Sequence, residues 1–254
     1  MNINLSKKTA FILGGSGKIG SEICKKLIES NCKVINFDIK KNIQNNFIKL
    51  NLEKISESKK IFNYSFKKFG CPNIFINSSY PKKKSWIYIN SNNFNEKILN
   101  ENIKVHLNSY LFYTNFFAKK MKDQKIKGSI INISSIYGNI SQNPEIYKNS
   151  LIKENIIYPA IKGSINSFSK QLAVSFGKYN IRVNTVCPGG IVDIKNKKLF
   201  KNNKNFINQY LSRVPLKRFC QPVDVANLCI FLSSDLSSYI TGTNIPCDGG
   251  WLAV

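Results

Sequence analysis

The sequence predicts a doubly wound α/β fold, a sheet of about seven parallel strands with helices on both faces. Three observations carry this. Short, wholly apolar runs alternate with longer segments of helical periodicity. The first apolar run turns through a cluster of glycines into a helix. With 254 residues, 43% of them hydrophobic, the chain is long and apolar enough to cover such a sheet, which excludes a disordered chain. Alternation of this kind implies right-handed crossovers and a sheet buried on both faces.

In chain order, residues 9–13 form a short strand that Gly14 and Gly15 stop, too short for a secretory core. Residues 19–30 place Ile19, Ile23, Leu27 and Ile28 on one helical stripe. Strands follow at 33–37 and 47–50, a helix at 55–69 and a strand at 74–76. A long helix is expected over 94–121, a buried strand at 129–133, a helix at 158–176 and a strand at 181–186. Pro222 suits the first turn of a helix over 223–232, and 244–247 closes the sheet as a seventh strand. No linker divides the chain, so residues 1–254 read as one domain. A polar Lys- and Asn-rich stretch is expected to form a lid at about 191–221, and a loop is inserted at about 138–157.

The net charge of +24 raises nucleic acid as a partner. Only Arg182, Arg213 and Arg218 are arginine, however, and the lysines spread over the whole length. Phosphate forks and base readout favour arginine, so a solvated lysine surface is the preferred reading and no nucleic-acid partner is expected. No stretch is long and apolar enough to span a bilayer, so no membrane partner is expected. Seven scattered cysteines without a C-x-x-C pair, and a single histidine, argue against a metal site and fit reduced thiols in a cytoplasmic protein.

Gly14-Gly15-Ser16-Gly17-Lys18-Ile19-Gly20 lies at the first strand-to-helix junction. Glycines there let backbone N–H groups approach a pyrophosphate, which the helix N-terminus then stabilises. Asp38 follows Gly20 by 18 residues at the end of the second strand, where a carboxylate accepts from ribose hydroxyls. The pair predicts a Rossmann-type dinucleotide site that favours NAD, because Asp38 repels the extra phosphate of NADP. Lys18, Lys40 and Lys41 lie close by and keep NADP open.

Tyr158 and Lys162 share one helical face, and an ammonium beside a phenol favours the phenolate. Tyr64/Lys68 and Tyr80/Lys84 have the same spacing, so spacing alone decides nothing. Only Tyr158 opens a helix just past a strand ending in Ser134-Ser135, at the carboxyl edge where such sheets bind ligands.

The glycine turn, Asn-Ile-Ser-Ser at 132–135, Tyr158 with Lys162, the Pro188-Gly189 segment and Asp248-Gly-Gly resemble the short-chain dehydrogenase/reductase family over nearly the whole chain. The resemblance implies roles. Tyr158 exchanges the proton with a carbonyl or alcohol, Lys162 holds the nicotinamide ribose, and Ser135 hydrogen-bonds the substrate oxygen. Asn51, with Leu52, matches the residue contacting adenine, Asn77 opens the segment matching the family's Asn-Asn-Ala-Gly, and Pro188, Gly189 and Ile191 flank the nicotinamide. Ser78-Ser79-Tyr80 departs from that segment. His106 aligns with the family's catalytic asparagine, and both a structural and a relay role stay open for it. Tyr147 fits the usual gap from the serine better than Tyr158 but has Leu151 where the lysine belongs.

The expected partner is a small-molecule carbonyl or alcohol substrate, possible classes being a sugar or sugar nucleotide and a 3-oxoacyl thioester on acyl carrier protein. The insertion, Ser134–Gly138 and Ser79–Pro81 resemble bacterial members linked to surface-glycan and flagellin modification. A catalytically silent dinucleotide-binding protein is the reading of another class. The family also implies a homodimer or homotetramer through the two long helices, with Tyr110, Phe112, Tyr113, Phe116 and Phe117 read either as contact face or as core.

Overall fold

The computed structural model describes residues 3–41, 46–80, 86, 89–150, 152–191 and 203–254. Among them, seven strands form one sheet: β1 (Thr9–Leu13), β2 (Lys33–Asp38), β3 (Phe47–Lys49), β4 (Ile74–Asn77), β5 (Gly128–Ile133), β6 (Ile181–Pro188) and β7 (Asn244–Cys247). Their order is β3-β2-β1-β4-β5-β6-β7, and every neighbouring pair is parallel. The order reverses between β1 and β4, which opens a crevice at their carboxyl ends.

Strand pleating sorts the core into two layers. Ala10 and Ile12 of β1 face a cluster with Ile23, Cys24 and Leu27 of α1 (Lys18–Glu29) and with Val225, Ala226 and Cys229 on a helix near the C-terminus. Phe11 and Leu13 point the other way, toward α2 (Ile55–Phe69) and the long central helix. Phe62, Phe75 and Phe117 fill that second layer. Phe75 stacks on Phe117 with centroids 3.9 Å apart, and Phe62 meets the same ring edge-on at 5.0 Å.

The long helix expected over 94–121 is three pieces on one rod. It comprises α3 (Glu96–Asn102), a π-helical turn (Ile103–Leu107) and α4 (Asn108–Asp123). Asn95 caps it, its side chain accepting from the Ile98 N–H at 3.1 Å. Tyr110, Tyr113 and Phe117 are buried within the single chain, so ordinary core accounts for the centre of the aromatic run.

Two helices escape periodicity. α5 (Pro144–Tyr147) is a single turn inside the insertion, capped by Asn143. After α6 (Ile157–Phe176), α7 (Lys204–Ser212) lies within the stretch read as polar lid. Its Phe206 and Tyr210, hidden among Lys and Asn, pack on Tyr147 and Trp251. Of the expected lid, residues 192–202 lie outside the described residues, and with them Lys195, Lys197, Lys198 and Lys201. α8 (Pro222–Ser233) packs against α1. No helix among the described residues is long and apolar enough to cross a membrane.

Candidate active site

At the crevice, Gly14 has φ +75°, and a Cβ there would lie 2.6 Å from Ser79 Cα. A Cβ on Gly20 would strike the Gly14 carbonyl. Only glycine lets β4, the turn and α1 pass this closely. Gly17, the N-cap of α1, offers no side-chain acceptor, so Lys18, Ile19 and Gly20 open a helix whose positive end faces the crevice without a cap oxygen.

Asp38 sits against this turn. Its Oδ2 accepts from the Ser16 N–H at 3.0 Å and its Oδ1 from the Ile39 N–H at 2.7 Å, while the Ser16 hydroxyl donates to the Lys40 carbonyl at 2.8 Å. Asn51 and Leu52 follow β3. Asn51 Oδ1 accepts from the Glu53 N–H, and the Leu52 carbonyl accepts from the Tyr113 hydroxyl at 2.9 Å. Asn77 is fully buried, and its Oδ1 accepts from the Ser79 hydroxyl at 2.6 Å, so its side chain shapes the strand end. Pro188 ends β6, the Gly189 N–H donates to the Cys247 carbonyl at 3.0 Å, and Ile191 packs partly buried beside the first core layer.

At the other end of the crevice, α6 carries Tyr158 and Lys162 one turn apart. Lys162 is 5% exposed, and its Nζ donates to the Ile133 carbonyl at 3.1 Å, which also receives the Tyr110 hydroxyl. The Ser134 hydroxyl holds the Lys162 carbonyl at 3.1 Å. No carboxylate among the described residues pairs with the ammonium, and burial pushes its pKa down to about 8. Two of its three N–H donors remain for ribose hydroxyls.

Burial is also the largest influence on Tyr158. It pushes the phenol above its usual range, Tyr80 adds to the rise, and a hydrogen bond with Ser135 opposes it. The expected lowering by Lys162 is therefore not met in this arrangement. The ammonium is turned to the Ile133 carbonyl, 5.7 Å from the centre of the Tyr158 ring, and lost hydration dominates. Ser135 caps the short turn Ile136–Gly138, its Oγ accepting from the Tyr137 N–H.

His106 lies in the π-helical turn, 4% exposed, and Trp86 stacks on it with centroids 3.7 Å apart. π-turns within α-helices recur at functional sites. Trp86 also meets Tyr158 edge-on at 5.7 Å, and its indole N–H donates to the Tyr80 hydroxyl. The sequence offered no sign of Trp86 or Tyr110 at the site, because Trp86 belongs to no motif and Tyr110 stands in an aromatic run read as contact face or core. The competing pair at Tyr64 is an exposed phenol with Lys68 over its ring, on the outer surface of α2. Lys84, the partner spaced from Tyr80, lies outside the described residues.

The segment 138–157 is anchored over this end. Ile89 pairs with Asn155 in a parallel bridge, and the Asn155 amide donates to the Trp86 carbonyl at 2.8 Å. Tyr147, the phenol lacking a lysine partner, donates instead to the Tyr137 hydroxyl at 2.9 Å.

This glycine-floored crevice on a doubly wound sheet, closed at one end by tyrosine, lysine and serine, is that of a dinucleotide-dependent oxidoreductase. The chain belongs to the short-chain dehydrogenase/reductase family: the family model described as enoyl-(acyl carrier protein) reductase matches residues 18–252. The chain is 32% identical to post-translational flagellin modification protein A of Campylobacter coli, across 97% of this chain and 99% of that one. It is 31% identical to a 3-oxoacyl-[acyl-carrier-protein] reductase of Buchnera aphidicola, covering 98% of each. Among solved structures, a short chain dehydrogenase from Leptospira borgpetersenii with bound NAD+ matches with TM-score 0.85 and 29% identity, over 98% of this chain and 95% of that one. A 4-hydroxyisoleucine dehydrogenase complexed with NADH matches with TM-score 0.81 and 27% identity, over 97% and 99%.

Proposed function

We propose that this oxidoreductase uses NAD to interconvert a secondary alcohol and a ketone, and that its substrate is a sugar or sugar nucleotide. The observation that carries the reading is the convergence of Ser135, Tyr158 and Lys162 at the carboxyl edge of β5, beside the glycine turn and Asp38. The residues fit the cofactor. Gly14 and Gly20 leave room for a pyrophosphate above α1, Asp38 suits ribose hydroxyls, and Lys162 has donors to spare. Asn51 and Leu52 flank the adenine, while Asn77, Pro188, Gly189 and Ile191 line the way to the nicotinamide. A bound nicotinamide supplies or takes up the hydride.

The chain's own residues handle the proton. Ser135 donates to the substrate oxygen and orients it, while the Tyr158 hydroxyl delivers or receives the proton at that oxygen. Lys162 acts on Tyr158 electrostatically, keeping its bond to the Ile133 carbonyl and giving its two remaining donors to the ribose. His106, stacked on Trp86, is the side chain we assign to support a proton relay in place of the family's asparagine. The likeness to the flagellin modification protein supports the sugar class, and the likeness to the 3-oxoacyl reductase supports an acyl thioester as the second reading. A cytoplasmic homodimer or homotetramer through α4 and α6 completes the proposal.

Tyr158→Phe is expected to lower turnover by at least about 100-fold with NADH affinity, read by nicotinamide fluorescence, unchanged. Retained turnover would remove Tyr158 from its role. Loss of NADH binding by the wild-type protein would sink the oxidoreductase mechanism, and preference for NADPH would overturn the Asp38 argument alone.

A further inference from the structure

The insertion brings into the site a chain of hydrogen bonds that runs in one direction. The Asn155 N–H donates to Gln142 Oε1 at 2.8 Å, and this fixes which way the Gln142 amide faces. Gln142 Nε2 donates to the Tyr147 hydroxyl at 3.0 Å, and the Tyr147 hydroxyl donates to the Tyr137 oxygen at 2.9 Å. Tyr137 therefore receives a proton and keeps its own to give. Burial pushes both phenols upward, so they are neutral donors at neutral pH. Among the described residues the Tyr137 hydroxyl has no acceptor, though its residue is only 9% exposed. Tyr137 lies two residues past Ser135, and its ring meets that of Tyr158 edge-on at 6.3 Å. A polar hydrogen so enclosed seeks an acceptor, and an oxygen of a ligand at this end of the crevice can supply it.

We propose that Tyr137 is a specificity-determining residue whose hydroxyl donates to an oxygen on the substrate carbon beside the one being oxidised or reduced. The inference rests on the oxidoreductase reading of the same site. It narrows the substrate to an α-oxygenated ketone or its alcohol, as in a polyhydroxylated sugar. Gln142 and Tyr147 are positioning residues that aim the Tyr137 proton. A site built to satisfy a substrate hydroxyl discriminates against the analogue lacking it, because the buried donor is then left unpaired.

The test compares NADH-dependent reduction of xylulose and of pentan-2-one by the wild-type protein, Tyr137→Phe and Tyr147→Phe. Tyr137→Phe is expected to lower kcat/KM for xylulose by about 10- to 100-fold and to leave that for pentan-2-one within about 3-fold. Tyr147→Phe, which keeps the Tyr137 hydroxyl but not its orientation, is expected to lose an intermediate share of the same selectivity. A merely structural role for Tyr137 would depress both ketones alike. Equal effects on both, or none on either, would overturn the inference and leave the oxidoreductase reading standing. If the wild-type protein reduces neither ketone while binding NADH, the reaction proposed for the site fails and this inference fails with it.

Discussion

Lys162 illustrates how one residue ties stability to function. A lysine pushed down to about 8 by burial binds fewer protons in the native than in the unfolded chain between pH 8 and its ordinary 10.5. Stability therefore rises with pH through that window, and below it burying the ammonium carries the full penalty, of about 3 kcal/mol. Lys162→Met removes the titration. The wild-type minus variant difference in unfolding free energy, from denaturant titrations of the cofactor-free protein, is expected to shift toward the wild type by about 2–3 kcal/mol between about pH 7.5 and pH 10. Parallel pH profiles would mean that the ammonium is better solvated than its surroundings show. At this scale the sequence displayed Tyr158, Lys162, Ser135 and Asp38, each fixed by spacing from a strand end. It concealed the sense of the Tyr158 shift, because that depends on Trp86, Tyr80 and Tyr110 removing water, and three-dimensional burial has no local signature.

Elements show the same division between what is local and what is not. Strands β1, β4 and β5 are apolar on both faces and legible as such, and α1 and α6 declare themselves by stripe. The π-turn was invisible, since one added residue leaves hydrophobic spacing nearly unchanged over a helix this long. α7 was masked by composition, its few apolar residues diluted by Lys and Asn. α8 carries a clearer local device. Asp224 accepts from the Gln221 N–H at 2.8 Å and pairs with both terminal nitrogens of Arg218, at 2.6 and 3.0 Å. The pairing holds its carboxyl below the usual range. Asp224→Ala is expected to cost about 1–2 kcal/mol, seen as a fall in Tm of about 2–6 °C in a chain of this size. An unchanged Tm would show that the helix start is held by packing on α1 alone.

Over the whole molecule, the net charge of +24 comes from lysines spread along the whole length of the chain. The ion pairs on the described surface, such as Lys54–Glu57 and Lys148–Glu145, are exposed and contribute little. Self-repulsion among lysines is the larger influence, and salt screens it over about 10 Å at about 0.1 M. Raising sodium chloride from about 20 to about 300 mM is expected to increase Tm by a few degrees, whereas a fall would mean that attractive pairs outweigh the repulsion. The fold was legible at this scale because all the crossovers but the one from β2 to β3 repeat the same strand and helix grammar. The wall over the active site was not, because it is assembled from segments some seventy positions apart that share no motif.

That wall has a consequence for how the protein diversifies. Ile89 and Asn155 join as backbone partners, and the Asn155 side chain holds both the Trp86 carbonyl and the start of α6. The two segments that meet at the substrate end are thus coupled through one bridge and the Asn155 side chain. A relative's insertion grafted without its own partner after β4 would arrive with no edge to dock on, and would release Trp86 from His106 as it failed. Changing the substrate end of this scaffold therefore calls for exchanging both segments at once, or for altering side chains within a wall that stays intact.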